Sequence, residues 1–148
     1  MRRLPVALLA GFLIVAALLP AAAAASPQGA AIAQLNDIRQ AHGLQPLRSS
    51  GALERSSSRY ARHMIRANYF GHASRIAVSS QFGHAGETLA MQSGWRADPA
   101  QTIADWMNSP GHRAVLLSAG YRWIGMGTAR GRIGSRLVTV WVAHVGAR

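Results

Sequence analysis

The sequence predicts an α/β domain, of the α+β type, in which helices cover both faces of a small sheet. Helical spacing of apolar residues dominates most of the chain, and the pattern changes to a period of two near its end. The last predicted strand is apolar on both faces: Leu137 and Trp141 on one, Val138, Val140 and Val142 on the other. Such a strand must be covered on both faces, and helices are the available cover. The predicted layers are therefore helix, sheet and helix.

The first 25 residues are interpreted as an export signal rather than as part of the domain. Arg2 and Arg3 give a positive start, residues 4–19 are apolar and uncharged, and residues 23–25 are small, as signal peptidase requires. The apolar run is shorter than the roughly 20 residues that span a bilayer comfortably. We expect cleavage near Ala25 and a secreted, periplasmic or extracellular protein with no integral membrane segment afterwards. The alternative is an uncleaved N-terminal anchor.

Two helices are expected after this segment. Residues 26–30 form a lead-in that contains Ser, Pro and Gly, and the domain occupies residues 31–148. The first helix has apolar side chains at helical spacing and ends at a glycine: Ile32, Leu35, Ile38 and Gly43. Residues 46–48 form a turn, and Ser49 or Ser50 caps a second helix that runs to about Asn68.

The second helix carries a stripe of arginines opposite its apolar face: Arg55, Arg59, Arg62 and Arg66. Such a stripe could grip a polyanion. More often it is the solvated side of an amphipathic helix, and we favour that interpretation.

Residues 69–98 are expected to be irregular, and loops of this length in a compact domain are usually functional. Asp98-Pro99 begins a third helix, and Ser109-Pro110 repeats the same signal for a short fourth helix to about Leu117. Two strands complete the domain: Trp123–Ala129 and Arg136–Val145, joined by residues 130–135.

Composition limits the function classes. A length of 148 residues fits one domain, and we expect a monomer. The absence of cysteine excludes disulfides, thiolate metal sites and a cysteine nucleophile. All 16 cationic side chains are arginines, against five acidic residues, for a formal charge of +11. Arginine without lysine indicates a GC-rich coding bias, so we do not expect a nucleic-acid partner.

No sequence motif names an enzyme, but three residues near predicted structural breaks could carry chemistry: His72, Glu87 and His112. His112 is third in the short fourth helix, where free N–H groups and the helix dipole disfavour the imidazolium form. Two neutral imidazoles and one carboxylate would make a three-ligand metal site with an open position for water. The alternative is that these residues only cap and pack.

Longer motifs carry a resemblance to a known family. They are Asn36-x-x-Arg39 with Gly43-Leu44-x-Pro46-Leu47, Tyr69-Phe70-Gly71-His72, Gly86-Glu87-Thr88-Leu89-Ala90, Ser109-Pro110-Gly111-His112-Arg113 and Ile124-Gly125-Met126-Gly127. Their order over about Ile32 to Val145 is similar to the bacterial branch of the CAP superfamily, the SCP domains. This group includes cysteine-rich secretory proteins, antigen 5 and plant pathogenesis-related proteins. The resemblance implies an α-β-α sandwich around a small antiparallel sheet.

The resemblance also implies a central cleft that holds two histidines and two acids and binds a divalent cation such as zinc. By position His72 and His112 resemble the two histidines and Glu87 the first acid. The position of the second acid is Ser109, whose hydroxyl cannot act as a general base at neutral pH. Arg113 is expected at this cleft, where it positions an anionic ligand or, as we favour, holds the loop through backbone carbonyls.

Four further residues are assigned simpler roles. We interpret His84 as a loop histidine, although it could substitute as a ligand, and His144 as a sheet-end residue. Asp105, one turn before Ser109, is interpreted as a surface or capping acid. Trp95 is a candidate rim residue. The other aromatic side chains at helix and strand spacing are assigned to the core: Trp106, Tyr121, Trp123 and Trp141.

The favoured function is a secreted binding or interaction module that acts at the bacterial envelope. Its partner would be a small-molecule or lipid-like ligand, or an envelope component. The missing second acid and the lack of a nucleophile motif favour this over an enzyme. One alternative is a metal-assisted, peptidase-like hydrolase in which His72 and His112 hold the cation and Glu87 activates water. Another is a structural protein whose arginines bind anionic envelope polymers.

Overall fold

The computed structural model describes residues 26–148, so the predicted export signal lies outside the described residues. Four helices and four strands occur in this range: α1 (Pro27–Ala41), β1 (Arg48–Ser49), α2 (Gly51–Arg66), β2 (His84–Ser93), α3 (Pro99–Asn108), α4 (Pro110–Leu116), β3 (Trp123–Ile133) and β4 (Arg136–Ala147). None of the helices within residues 26–148 is long and apolar enough to cross a membrane.

The strands form one sheet in the order β1-β3-β4-β2, with β4 between two antiparallel neighbours. The two residues of β1 add to the edge in parallel with β3. One sheet face packs on α2 through Val138, Val140 and Val142. Trp141, Ala143 and Val145 point to the other face and pack with α1, α3 and α4. The predicted three-layer α-β-α sandwich is confirmed, and its sheet is antiparallel except at β1.

Local capping sets the helix starts. The Ser50 hydroxyl accepts a hydrogen bond from the Leu53 N–H at 3.5 Å, and the Asp98 carboxylate accepts one from the Gln101 N–H at 2.9 Å. Ser26 caps α1, which begins at Pro27. Residues 27–30 of the expected lead-in are therefore the first turn of α1, because Ser-Pro supplies both a cap and a favourable first position.

The expectation that residues 69–98 are irregular is wrong for β2. This strand buries Gly86, Glu87, Thr88 and Leu89 in succession, so it shows neither alternation nor a continuous apolar run. The predicted turn at residues 46–48 is also shorter, since Arg48 already pairs with Trp123 in β1. The connection between the last two strands shrinks to Gly134 and Ser135, with Gly134 at a positive φ of 59°.

Two glycines of β3 let α2 lie close to the sheet. A Cβ atom on Gly125 would overlap the backbone of Leu53 and Glu54, and one on Gly127 would overlap the backbone of Ser57 and Ser58. The Ser57 hydroxyl uses this proximity to donate to the Gly125 carbonyl at 2.8 Å. The Ile-Gly-x-Gly motif is therefore required for packing of helix on sheet.

Arg39 connects α1 to the end of α4 in the layer on the other face of the sheet. Its side chain is completely buried at the end of α1. The guanidinium donates to the carbonyl of Leu116, the last residue of α4, to that of Ser118 two residues later, and to that of Gln45 at 3.0 Å. Arg39 thus holds the end of α4, the helix that carries His112.

Replacing Gly127 with alanine tests the close packing. We expect Gly127→Ala to lower the free energy of unfolding by about 1–3 kcal/mol, because the new methyl group meets backbone that cannot move away without shifting α2. Urea unfolding followed by circular dichroism measures the change. Gly83→Ala is the matched control, since a Cβ there meets no atom within 4 Å. Equal stability of the two variants would contradict this packing.

Candidate functional site

The centre of the candidate site is a buried carboxylate between two imidazoles. Glu87 on β2 is 8% exposed. Its Oε1 atom lies 2.9 Å from Nδ1 of His72, and its Oε2 atom lies 2.9 Å from Nε2 of His144. The backbone N–H of Ala73 donates to Oε1 at 3.1 Å. Because an ionised carboxylate only accepts, both histidines donate to it through these nitrogens.

Sheet register brings Glu87 and His144 together. The two residues are direct partners across the antiparallel β2–β4 pair, so their side chains lie on the same face. That face is covered by α2, whose Ser56 hydroxyl lies 3.0 Å from Nδ1 of His144. Ser57, the next residue of α2, accepts from the backbone N–H of His144 at 3.2 Å. The cluster therefore joins two strands to the helix above them.

Glu87 remains ionised despite its burial. Removal from water alone would raise the pKa of the Glu87 carboxyl, since burial disfavours the charged form. Hydrogen bonds from His144, His72 and the Ala73 N–H outweigh burial, and the pKa falls below its ordinary value of 4.5. The site therefore contains a buried negative charge that accepts hydrogen bonds from three donors.

His72 lies on a segment that is tied down at several points. Tyr60 donates its hydroxyl proton to the Gly71 carbonyl at 2.7 Å, and Ser56 donates to the Ala77 carbonyl at 2.8 Å. The Ala73 N–H bond to Glu87 adds a third attachment. We call residues 71–77 the anchored loop. The His72 side chain is 59% exposed, so Nδ1 is held by Glu87 while the rest of the ring reaches solvent.

His112 faces His72 from the start of α4. The two ring centroids are 6.1 Å apart, with the ring planes inclined at 51°. Burial, and second the proximity of His72, lower the pKa of His112. The helix-position argument predicts the same direction, but desolvation is the larger cause. The lowered pKa favours a neutral His112 imidazole next to His72.

Of the three predicted residues, His72 contacts Glu87 and lies near His112, and the three do not form a metal-binding group. Both oxygens of Glu87 are already occupied by histidine nitrogens. Within residues 26–148, no group of three or more His, Asp or Glu side chains is arranged to hold a metal ion. What this arrangement offers a cation is a pair of imidazoles, His72 and His112.

The other predicted cleft residues make no side-chain hydrogen bond to His72, Glu87 or His112 within residues 26–148. Ser109 is the N-cap position of α4 and makes no side-chain capping bond there. Arg113 is exposed, and its guanidinium lies 3.5 Å from the His42 ring at the end of α1. Asp105 is an exposed acid that accepts from Gln101, as expected. His84 is exposed three residues before Glu87 in the same strand, so its side chain lies on the opposite face.

A cavity of about 570 Å³ opens between α2 and the loop that follows it. His72 and His144 contribute to its wall, whereas His112, Ser109 and Arg113 do not line it. The cleft expected from the sequence is therefore represented by two features that share His72: the imidazole pair of His72 and His112, and the cavity.

His144 is the site residue that sequence reasoning missed. The interpretation as a sheet-end residue is wrong, since the side chain is buried and bonded to Glu87 and Ser56. A signal was present: His144 has the strand parity of Val140 and Val142, which pack under α2. A histidine buried at such a position needs polar partners.

Two of the tryptophans assigned to the core from the sequence are fully buried. Trp106 and Trp141 are buried, and their indole N–H groups donate to the Leu89 carbonyl and the Gln92 side chain, both at 2.9 Å. Trp123 is half-buried and is contacted by Arg148, 4.4 Å from its ring centroid. Trp95 is 58% exposed, consistent with a rim residue.

Comparison with known proteins identifies relatives of this chain. The model of the cysteine-rich secretory protein family, CAP, matches residues 32–145. The protein YkwD of Bacillus subtilis (strain 168) is 33% identical over 101 residues, which are 62% of this chain and 38% of YkwD. The chain thus spans less than half the length of that relative.

Two solved structures share the fold. An outer surface protein from Borrelia burgdorferi has a TM-score of 0.66 at 20% identity, and the match covers 82% of this chain and 92% of that protein. An extracellular protein containing an SCP domain from Bacillus anthracis str. Ames has a TM-score of 0.65 at 22% identity, with coverage of 82% and 40%. These likenesses establish the fold.

Glu87→Gln tests the buried carboxylate. At neutral pH we expect the variant to unfold more easily, by about 1–3 kcal/mol, because an amide cannot accept from all three donors. A lowered folded pKa gives stability that is present above the ordinary value of 4.5 and is lost as pH falls through the folded pKa. The wild-type advantage should therefore shrink below about pH 4.5. Urea unfolding from pH 7 to pH 3 measures it.

The matched control is Asp105→Asn, which removes an exposed carboxylate bonded only to Gln101. It should change stability little at any pH. A Glu87→Gln effect as small as the control effect, or one that does not vary with pH, would contradict the assigned role.

Proposed function

Because the chain belongs to the cysteine-rich secretory protein (CAP) family, we propose that it is a secreted binding module that holds a divalent cation and a small ligand. The cation lies between His72 and His112, and the ligand occupies the adjoining cavity. One observation carries this proposal: Glu87 accepts a hydrogen bond from Nδ1 of His72, which leaves Nε2 of the same ring available to bind a cation.

The Glu87–His72 pair has the arrangement that metal-binding histidines use. A metal-ligating imidazole generally donates its other N–H to a carboxylate, which fixes the tautomer and raises the basicity of the ligating nitrogen. Glu87 supplies this carboxylate at the Nδ1 edge of the ring. In our proposal Glu87 is therefore an orienting residue, and it replaces the third ligand inferred from the sequence.

His112 suits the second ligand position of the proposed cation site. Its lowered pKa favours the neutral imidazole, which is the form that binds metal. Zinc is the cation that fits a pair of imidazoles, with its remaining positions open to water or to a ligand. When bound, such an ion would act as a Lewis acid toward an oxygen atom of the ligand.

A hydrolase is less well supported than a binding module. A general base needs a carboxylate oxygen within reach of water. Both oxygens of Glu87 are instead occupied by histidine and backbone donors, and its lowered pKa makes it a weak base. Ser109, which occupies the position of the second acid, brings no base either.

The location outside the cytoplasm has two supports. The first 25 residues have the pattern of an export signal. Two proteins with the same fold are described as an outer surface protein and an extracellular protein. The partner is therefore proposed to be a ligand or component met at or beyond the cell envelope.

Zinc titration of the purified protein at pH 7.5 by calorimetry tests the proposal. We expect one zinc ion per chain, with binding at least about tenfold weaker in His72→Ala and in His112→Ala, since each removes a ligand. Glu87→Gln should weaken binding about 10- to 100-fold through the loss of ring orientation.

His84→Ala is the matched control, because this histidine is exposed on the same strand as Glu87 but on the other face. It should bind zinc like the wild type. If the wild-type protein does not bind zinc, or if His72→Ala and His112→Ala bind zinc as strongly as the wild type, the cation proposal is wrong.

A further inference from the structure

The cavity beside His72 is lined by cationic side chains. Two arginines of α2, Arg59 and Arg66, and Arg75 of the anchored loop are among its lining residues. His63 lies between the two α2 arginines on the same lining surface. A volume of about 570 Å³ is within the usual range for a small-molecule site.

Helical spacing explains the alignment on α2. Arg59, His63 and Arg66 are separated by four and then three residues, so they form one row along the helix. Arg55 and Arg62, the other two members of the arginine stripe, do not line the cavity. All four arginines of the stripe are exposed, as the favoured interpretation of the sequence expects, and Arg59 and Arg66 also line the cavity.

These arginines have no internal counter-charge. Within residues 26–148, the ion-pair contacts are those of Glu87 with His72 and His144, and no arginine pairs with a carboxylate. No acidic side chain is among the described residues that line the cavity. Glu87 lies beneath its wall, already satisfied by the two histidines. The cavity therefore has a net positive field and free guanidinium donors.

The cavity is also preformed and partly aromatic. The anchored loop, one of its walls, is fixed to α2 at Gly71 and Ala77 and to β2 through Ala73. The rings of Tyr60 and His63 stack with centroids 5.9 Å apart and planes inclined at 19°. A flat apolar group could lie on this pair while an oxyanion meets the arginines.

We propose that the cavity binds a small organic phosphate: a phosphomonoester dianion held by Arg59, Arg66 and Arg75, with a planar apolar body against Tyr60 and His63. Guanidinium groups match phosphate oxygens in pairs of parallel hydrogen bonds, and two or more of them offset a dianion. This inference rests on the proposed ligand-binding role of the cavity and names its ligand class, but it needs no cation.

The test is an NMR titration of the isotope-labelled protein with phenyl phosphate in the presence of EDTA. Backbone amide signals of residues 71–77 should shift in a saturable manner. Arg59→Gln and Arg66→Gln should each weaken binding about tenfold, the loss expected for one hydrogen bond to a charged group. Arg62→Gln is the matched control, with the same charge change on the same helix outside the cavity.

Two further probes separate the parts of the ligand. Inorganic phosphate should bind more weakly than phenyl phosphate, and benzyl alcohol should not bind. Equal binding of inorganic phosphate would overturn the aromatic part of the proposal. Equal weakening by Arg62→Gln would show a diffuse charge effect and overturn the site itself.

Failure of this inference is distinguishable from failure of the proposed cation site. Zinc binding that depends on His72 and His112, without saturable phenyl phosphate binding in EDTA, overturns the phosphate site alone. Saturable phenyl phosphate binding that depends on Arg59 and Arg66, without zinc binding, overturns the cation site alone. Melting curves of the arginine variants, all at exposed positions, check that each variant is folded.

Discussion

The burial of one carboxylate constrains the rest of the site. An ionised Glu87 beneath α2 would be costly without donors, because charge taken out of water must be compensated by hydrogen bonds. His144, His72 and the Ala73 N–H supply them. These donors come from two places in the fold, His144 from β4 and the other two from the anchored loop, so satisfying Glu87 ties that loop to the β2–β4 pair. The close approach of α2, made possible by Gly125 and Gly127, covers the cluster.

The hydrogen bond to Glu87 holds His72 next to both proposed binding sites. His72 lies near His112, and the two imidazoles form the proposed cation position. The anchored loop also contributes Arg75, together with Arg59 and Arg66 of α2, to the cavity that forms the proposed oxyanion position. The first set of groups suits a cation and the second suits an anion, and His72 adjoins both.

The sequence predicted what is encoded locally and missed what depends on long-range pairing. Helix starts at Ser50 and Asp98 follow from capping groups a few residues away. The family motifs also pointed to His72, which contacts Glu87 and lies near His112. The strand β2 was missed because its polar residues are satisfied by partners distant in the chain. For the same reason, the role of His144 became visible only once its register with Glu87 was known.

The most direct test of this account is the protonation pattern of the histidine rings, measured by long-range ¹H–¹⁵N NMR correlation at neutral pH. If Glu87 accepts from both rings, His72 carries a proton on Nδ1 and His144 carries one on Nε2. In Glu87→Gln, the His72 preference should be reduced or lost. A wild-type His72 ring protonated only on Nε2 would contradict the account, because Nδ1 would then have no proton to donate to Glu87.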